Sequence, residues 1–149
     1  MILDTDLDEW SPQGPVTELS TEHAWALLAT QSLGRLALSM DDRPQIFPVD
    51  FATDDGTIVF RTAAGAKLRE LLHNRHVAFE TDYDGDEEAW SVVARGAAEV
   101  LSTTDDIRRA DALTLPHWVP ILPYVYVRIV PDDIRARHFD HRLRAERAD

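Results

Sequence analysis

The chain has 149 residues, 44% hydrophobic and 28% charged. That size folds as one domain and typically buries roughly 70% of its unfolded surface, so a real core is available without staples. Its 15 basic and 27 acidic residues give a formal charge of −12, which argues against nucleic acid or anionic membrane as a partner. The absence of cysteine removes disulfides, thiol catalysis and Cys-ligated metal centres. No apolar run approaches the ~18 residues of a membrane span, and residues 1–6 lack the basic start and apolar stretch of a secretion signal. The expectation is a soluble cytoplasmic protein.

Residues 1–16 read as a flexible acidic arm closed by Pro12, Gly14 and Pro15. Ser20 is placed as an N-cap, with Glu22 in the first turn and Ala24, Leu27 and Leu28 recurring at helical spacing. From Arg35 the apolar period changes to two, which predicts a strand to Met40 with Leu36, Leu38 and Met40 on one face. Asp41 to Pro44 turns the chain into a second strand, Gln45–Phe51, with Phe47, Val49 and Phe51 on one face and Pro48 and Asp50 on the other. Asp54-Asp55-Gly56 is a hairpin signal leading to a third strand, Thr57–Arg61.

A short helix is expected over Ala66–Leu72, directly after Gly65. Further strands are expected over His76–Thr81, Trp90–Leu101 (kinked at Gly96) and Tyr124–Ile129. Ser102, Thr103 or Thr104 caps a helix running to about Leu113, and the three prolines of Leu115–Pro123 exclude regular helix there. Arg135, Arg137, Arg142, Arg144 and Arg147 read as a basic tail that folds only against a partner. Hairpin-linked strands with three short helices predict a mainly β, six-stranded antiparallel barrel.

The six glycines are scattered, and none is followed by Lys, so neither a Rossmann fingerprint nor a P-loop is present. Asp4/Asp6/Asp8 and Asp82/Asp84/Asp86 lack the Gly and Glu that a calcium loop requires. His73/His76 and His138/His141 lack a completing ligand, so no metal site is expected. No Ser sits in a nucleophile elbow.

Fourteen of the fifteen basic residues are Arg, and the one lysine, Lys67, stands in Arg61-Thr-Ala-Ala-Gly-Ala-Lys67. A strand end carrying Arg61 and Thr62, then Gly65, Lys67 and a helix start, makes a plausible phosphate cradle. Arg gives a bidentate grip, Thr a hydroxyl, Gly a close backbone approach, and the helix N-terminus free N–H groups and a positive dipole end. The alternative is that Arg61 and Lys67 pair with the many carboxylates.

Four segments carry a resemblance: Leu33-Gly-Arg-Leu-Ala37, Pro44-Gln-Ile-Phe-Pro-Val-Asp-Phe51, Ile58-Val-Phe-Arg-Thr-Ala-Ala-Gly-Ala-Lys-Leu68 and Trp90-Ser-Val-Val-Ala-Arg-Gly-Ala-Ala-Glu99. Together, over about residues 17–139, they resemble the pyridoxamine 5′-phosphate oxidase-like family, and within it the actinobacterial flavin and deazaflavin oxidoreductase branch. The resemblance implies a Greek-key split barrel over 17–139, with residues 140–149 as a tail. It also implies a homodimer with two FMN molecules in the clefts between subunits, acting on a small planar substrate by hydride transfer.

Carried over by residue, Arg61, Thr62, Ala63, Gly65 and Lys67 would hold the FMN phosphate. Phe47, Pro48, Val49, Asp50 and Phe51 would lie along the flavin ring. Trp90 and Ser91 would approach from the partner subunit. No catalytic side chain is singled out, because the flavin carries the redox step. The tail Ile134-Arg-Ala-Arg-His-Phe-Asp-His141 does not match the family's substrate-phosphate motif, which argues against action on pyridoxamine phosphate itself. A deazaflavin coenzyme or haem is the alternative occupant, and a non-catalytic carrier or sensor the alternative role.

Overall fold

The structure, a computed structural model, describes residues 16–115, 123–140 and 147–148. The expected acidic arm, most of the proline-rich segment and the tail beyond Asp140 lie outside the described residues. Seven strands and three helices alternate: β1 (Thr17–Leu19), α1 (Thr21–Leu28), β2 (Leu33–Met40), β3 (Arg43–Asp54), β4 (Thr57–Ala63), α2 (Ala66–His73), β5 (His76–Asp84), β6 (Glu88–Val100), α3 (Thr104–Asp111) and β7 (Tyr124–Asp140).

Six of the strands close a ring, β7–β4–β3–β2–β5–β6 and back to β7, every pairing antiparallel. This is the expected six-stranded barrel. A seventh strand, β1, lies beside the far half of β7, with Thr17 opposite His138 and Leu19 opposite Ala136. Period-two alternation builds the interior: Leu36 and Leu38 of β2, Val49 and Phe51 of β3, Ile58 and Phe60 of β4, and Phe79 of β5 are all buried. Phe51 meets Phe79 edge-on at 4.7 Å between ring centres, a favourable quadrupole arrangement.

Turn chemistry sets the hairpins. Asp41 and Asp42 both have positive φ, as do Asp55 and Gly56, so two-residue turns join β2 to β3 and β3 to β4. Ser20 accepts from the His23 backbone N–H at 3.1 Å, and Ala24 and Leu28 of α1 are buried in the core. Thr103 caps α3 the same way, accepting from Asp106. α3 covers the outside of the barrel, where Ala110 packs with Val59, Leu101 and Tyr126.

The last strand departs from the sequence reading. It does not stop at Ile129 but runs to Asp140, so Arg135 and Arg137 belong to the barrel and not to a tail. Pro131, the apparent breaker, lies opposite Gly96, where the β6–β7 register shifts by a bulge between Arg95 and Gly96. The fit is tight: a Cβ on Gly96 would meet the Val130 carbonyl oxygen and lie 2.7 Å from the Pro131 Cα. Arg137 pairs with Glu18 of β1 at 3.1 Å. Among the described residues no helix is long and apolar enough to cross a membrane.

Candidate functional site

The ring is not uniformly zipped. β3 pairs with β4 only over Phe51–Asp54. From Asp50 back to Arg43, β3 is laddered to β2 alone, whereas Arg61, Thr62 and Ala63 of β4 are laddered to Tyr126, Val125 and Tyr124 of β7. The two strands therefore part beyond the Phe51–Phe60 pair. A fork opens, with the backbone edge of β3 on one side and the end of β4 on the other. This sets two motifs, Phe47–Phe51 and Arg61–Lys67, on the two sides of the fork.

Within the fork the predicted residues divide by sheet face. Val49 and Phe51 point into the core and Phe47 is half-buried against it, while Pro48 is exposed and Asp50 half-buried on the outer side. Arg61 and Ala63 are half-buried on the outer face of β4, but Thr62 is 4% exposed and its hydroxyl is 3.3 Å from the Ala63 carbonyl oxygen. The Thr62 side chain thus lies on the opposite sheet face from that of Arg61. The guanidinium carbon of Arg61 stands 5.5 Å from the centre of the Tyr124 ring.

Two residues past β4, Gly65 caps α2 with extended backbone. Among the described residues, none apart from the glycine's own chain neighbours comes within 4 Å of where a Gly65 Cβ would be. α1 and α3 each have a hydroxyl N-cap and an acidic first turn; α2 has neither. Its first turn has no capping side chain, and the positive dipole end there favours an anion. Lys67 is the second residue of this helix. Open space at Gly65, an outward Arg61, and a β3 edge laddered on one side only together fit a flavin that carries a phosphate at one end and a ring edge rich in hydrogen-bonding groups at the other.

Trp90 and Ser91 lie elsewhere. Trp90 is buried and stacks on Tyr83 of β5, ring centres 6.2 Å apart. Ser91 pairs with Arg137 of β7, while Arg61 pairs with Tyr126, eleven residues away and roughly 35 Å along an extended strand. Beside the Trp90 stack is a cavity of about 490 Å³, lined by Tyr83, Asp86, Glu87, Glu88, His138 and Asp140, in which His138 and Glu88 are 2.7 Å apart. Among the described residues no group of three His, Asp or Glu could hold a metal ion.

Sequence reasoning missed the cluster on the outer face next to β3. Arg35 lies opposite Pro48 on one side and Glu80 on the other, and its guanidinium is 3.2 Å from both Glu80 and Asp82. Burial first, then hydrogen bonding to Asp82 and the charge of Asp82, push the Glu80 carboxyl up to about 7, against the pull of Arg35. It also missed Tyr124 and Tyr126. Their i, i+2 spacing was visible, but their place beside Arg61 is set by the β4–β7 register.

Fold and fork define an antiparallel split barrel whose β3 and β4 part beyond Phe51–Phe60. The family model for pyridoxamine 5′-phosphate oxidase matches residues 20–138, and the chain belongs to that family. A solved Corynebacterium glutamicum protein named for pyridoxamine 5′-phosphate oxidase is 45% identical, with TM-score 0.77, over 85% of this chain and 99% of that one. The structure of an FAD-binding protein from Mycobacterium smegmatis is 37% identical, with TM-score 0.74, over 84% of this chain and 99% of that one. An uncharacterised Mycobacterium tuberculosis protein is 33% identical over 132 residues, 82% of this chain and 86% of its own length.

Proposed function

We propose that this chain is a flavin-dependent oxidoreductase that works as a homodimer on a small planar substrate. The observation that carries the reading is the fork between β3 and β4, which sets the β3 edge, Arg61 and the uncapped start of α2 around one opening. Arg61, the amides following Gly65 and Lys67 would hold the phosphate of FMN, and the backbone edge of Phe47–Asp50 would meet the ring. The FAD named for the mycobacterial relative has the same ring and a first phosphate at the same end, so the grip suits either nucleotide. Bound flavin supplies hydride transfer at N5; the protein binds, orients and excludes water. The Arg61–Ser91 separation supports a site shared by two chains, with Trp90 and Ser91 coming from the partner.

Absorption and fluorescence titration of the purified protein tests this. FMN or FAD fluorescence should be quenched with an endpoint of one flavin per chain. Arg61→Ala should weaken the binding by roughly 10- to 100-fold, the worth of a charge-assisted phosphate contact. Uptake of a deazaflavin coenzyme or haem in place of either flavin would keep the cleft and replace the cofactor. Unchanged affinity in Arg61→Ala would refute the phosphate assignment.

A further inference from the structure

Tyr124 and Tyr126, two residues apart on β7, leave the same outward face of the strand. The register sets Tyr126 opposite Arg61 and Tyr124 opposite Ala63, so all three side chains share that face. The Tyr124 ring takes the Arg61 guanidinium on its face at 5.5 Å and meets Tyr126 edge-on, with centres 5.6 Å apart and planes at 85°. Tyr126 donates its hydroxyl to Asp111 Oδ1 at 2.6 Å. Burial, then that hydrogen bond, hold the Tyr126 hydroxyl above the usual phenol range, so it stays a donor at neutral pH.

Asp111 ends α3, which is itself pinned twice. Arg109 reaches Asp54 at 2.9 Å, and Arg128 bridges Glu99 at 2.6 Å and Asp106 at 3.4 Å. Packing explains Tyr126, a member of the apolar cluster under α3, but not Tyr124, which is 37% exposed and outside that cluster. Tyr124 contacts the cation and the edge of the Tyr126 ring.

We infer that Tyr124 is a positioning residue for the phosphate grip: its ring face holds the Arg61 guanidinium along the end of β4, beside Ala63 and toward the start of α2, and Tyr126 with Asp111 fixes that ring. The inference rests on the phosphate reading above. A long, freely rotating Arg side chain loses rotamer freedom when it closes on an anion, and a ring that already orients it lowers that loss. The ring acts on Arg61, so its effect is confined to ligands that carry a phosphate.

Paired titrations with FMN and riboflavin, which share a ring system and differ in the phosphate, test this. Tyr124→Leu should weaken FMN about three- to fivefold, the worth of an exposed cation–π contact, and leave riboflavin unchanged. Tyr124→Phe, which keeps the ring face, should bind both as the wild type does. Wild-type FMN affinity in Tyr124→Leu overturns the inference, and so does an equal loss for FMN and riboflavin. Should Tyr124→Leu fail to fold, Tyr126→Phe carries the test, because it removes only the hydroxyl: selective weakening of FMN supports the inference and unchanged FMN affinity overturns it. Arg61→Ala separates the two levels. If it binds FMN as the wild type does, or if the wild type takes up neither FMN nor FAD, the phosphate reading falls; if it weakens FMN while Tyr124→Leu does not, only the positioning role falls.

Discussion

Glu80 sits where its charge is opposed from two directions. Burial penalises the carboxylate, and Asp82 adds a second negative charge; Arg35 offsets only part of this, leaving the group at about 7 against an ordinary 4.5. The native state therefore holds a proton that the unfolded chain releases between those values. The associated stability is full below about pH 4.5 and is lost as pH rises through about 7. Glu80→Gln removes the titration and keeps hydrogen-bonding groups for Arg35 and Asp82. Urea unfolding at about pH 5 and about pH 8 should show the wild type losing on the order of 1 kcal/mol relative to the variant, a figure reduced for solvent screening of a partly exposed side chain. Parallel pH profiles would show that Glu80 is charged throughout. Nothing in the sequence pointed to this group, because Arg35 and Glu80 are 45 residues apart and meet only through the β2–β5 register.

Local chemistry made most elements legible and long-range pairing hid the rest. Ser20, the Asp54–Gly56 turn and the alternation of β2 and β3 act through neighbouring residues, and those readings match the structure. The sequence reading ends the last strand at Ile129; β7 runs on past Pro131 because Asp132 bulges out of the ladder opposite Arg95–Gly96 of β6, more than thirty residues earlier in the chain. β1 has three residues and exists only because β7 extends far enough to receive it. Two glycines separate fold from site at this scale. Gly96→Ala drives a Cβ against the Val130–Pro131 backbone and should lower stability by about 2–4 kcal/mol in denaturant unfolding. Gly65→Ala enters open space on extended backbone and should stay within about 1 kcal/mol of wild type, the range of an N-cap change, while reducing flavin uptake. A Gly65→Ala protein that keeps full flavin affinity would show that the ligand does not approach α2 closely.

The distribution of the motifs over the whole molecule has a consequence of its own. The barrel places Arg61 at the fork and Ser91 against Arg137, eleven residues further along β7. Each half of the proposed site was legible as a motif, and the resemblance implied that the halves come from different subunits; how far apart they lie within one chain follows only from β7 pairing with β4 at one end and with the start of β6 at the other. If two chains complete one site, defects in the two halves must complement. Arg61→Ala disables the phosphate side, and Ser91→Arg, on a half-buried outward position, fills the opposite wall. In a two-fold dimer each variant alone spoils both sites, whereas a mixed dimer collects both defects in one site and leaves the other intact. Equal co-expression with random pairing should therefore restore roughly one quarter of wild-type flavin binding, from variants that separately retain almost none. The readout is flavin bound per chain after purification through two different affinity tags, which selects the mixed dimers and should raise the value to about one half. Mixed chains that bind no more than the separate variants would place Arg61 and Ser91 in one site of a single chain, or show that Ser91 lies outside the site.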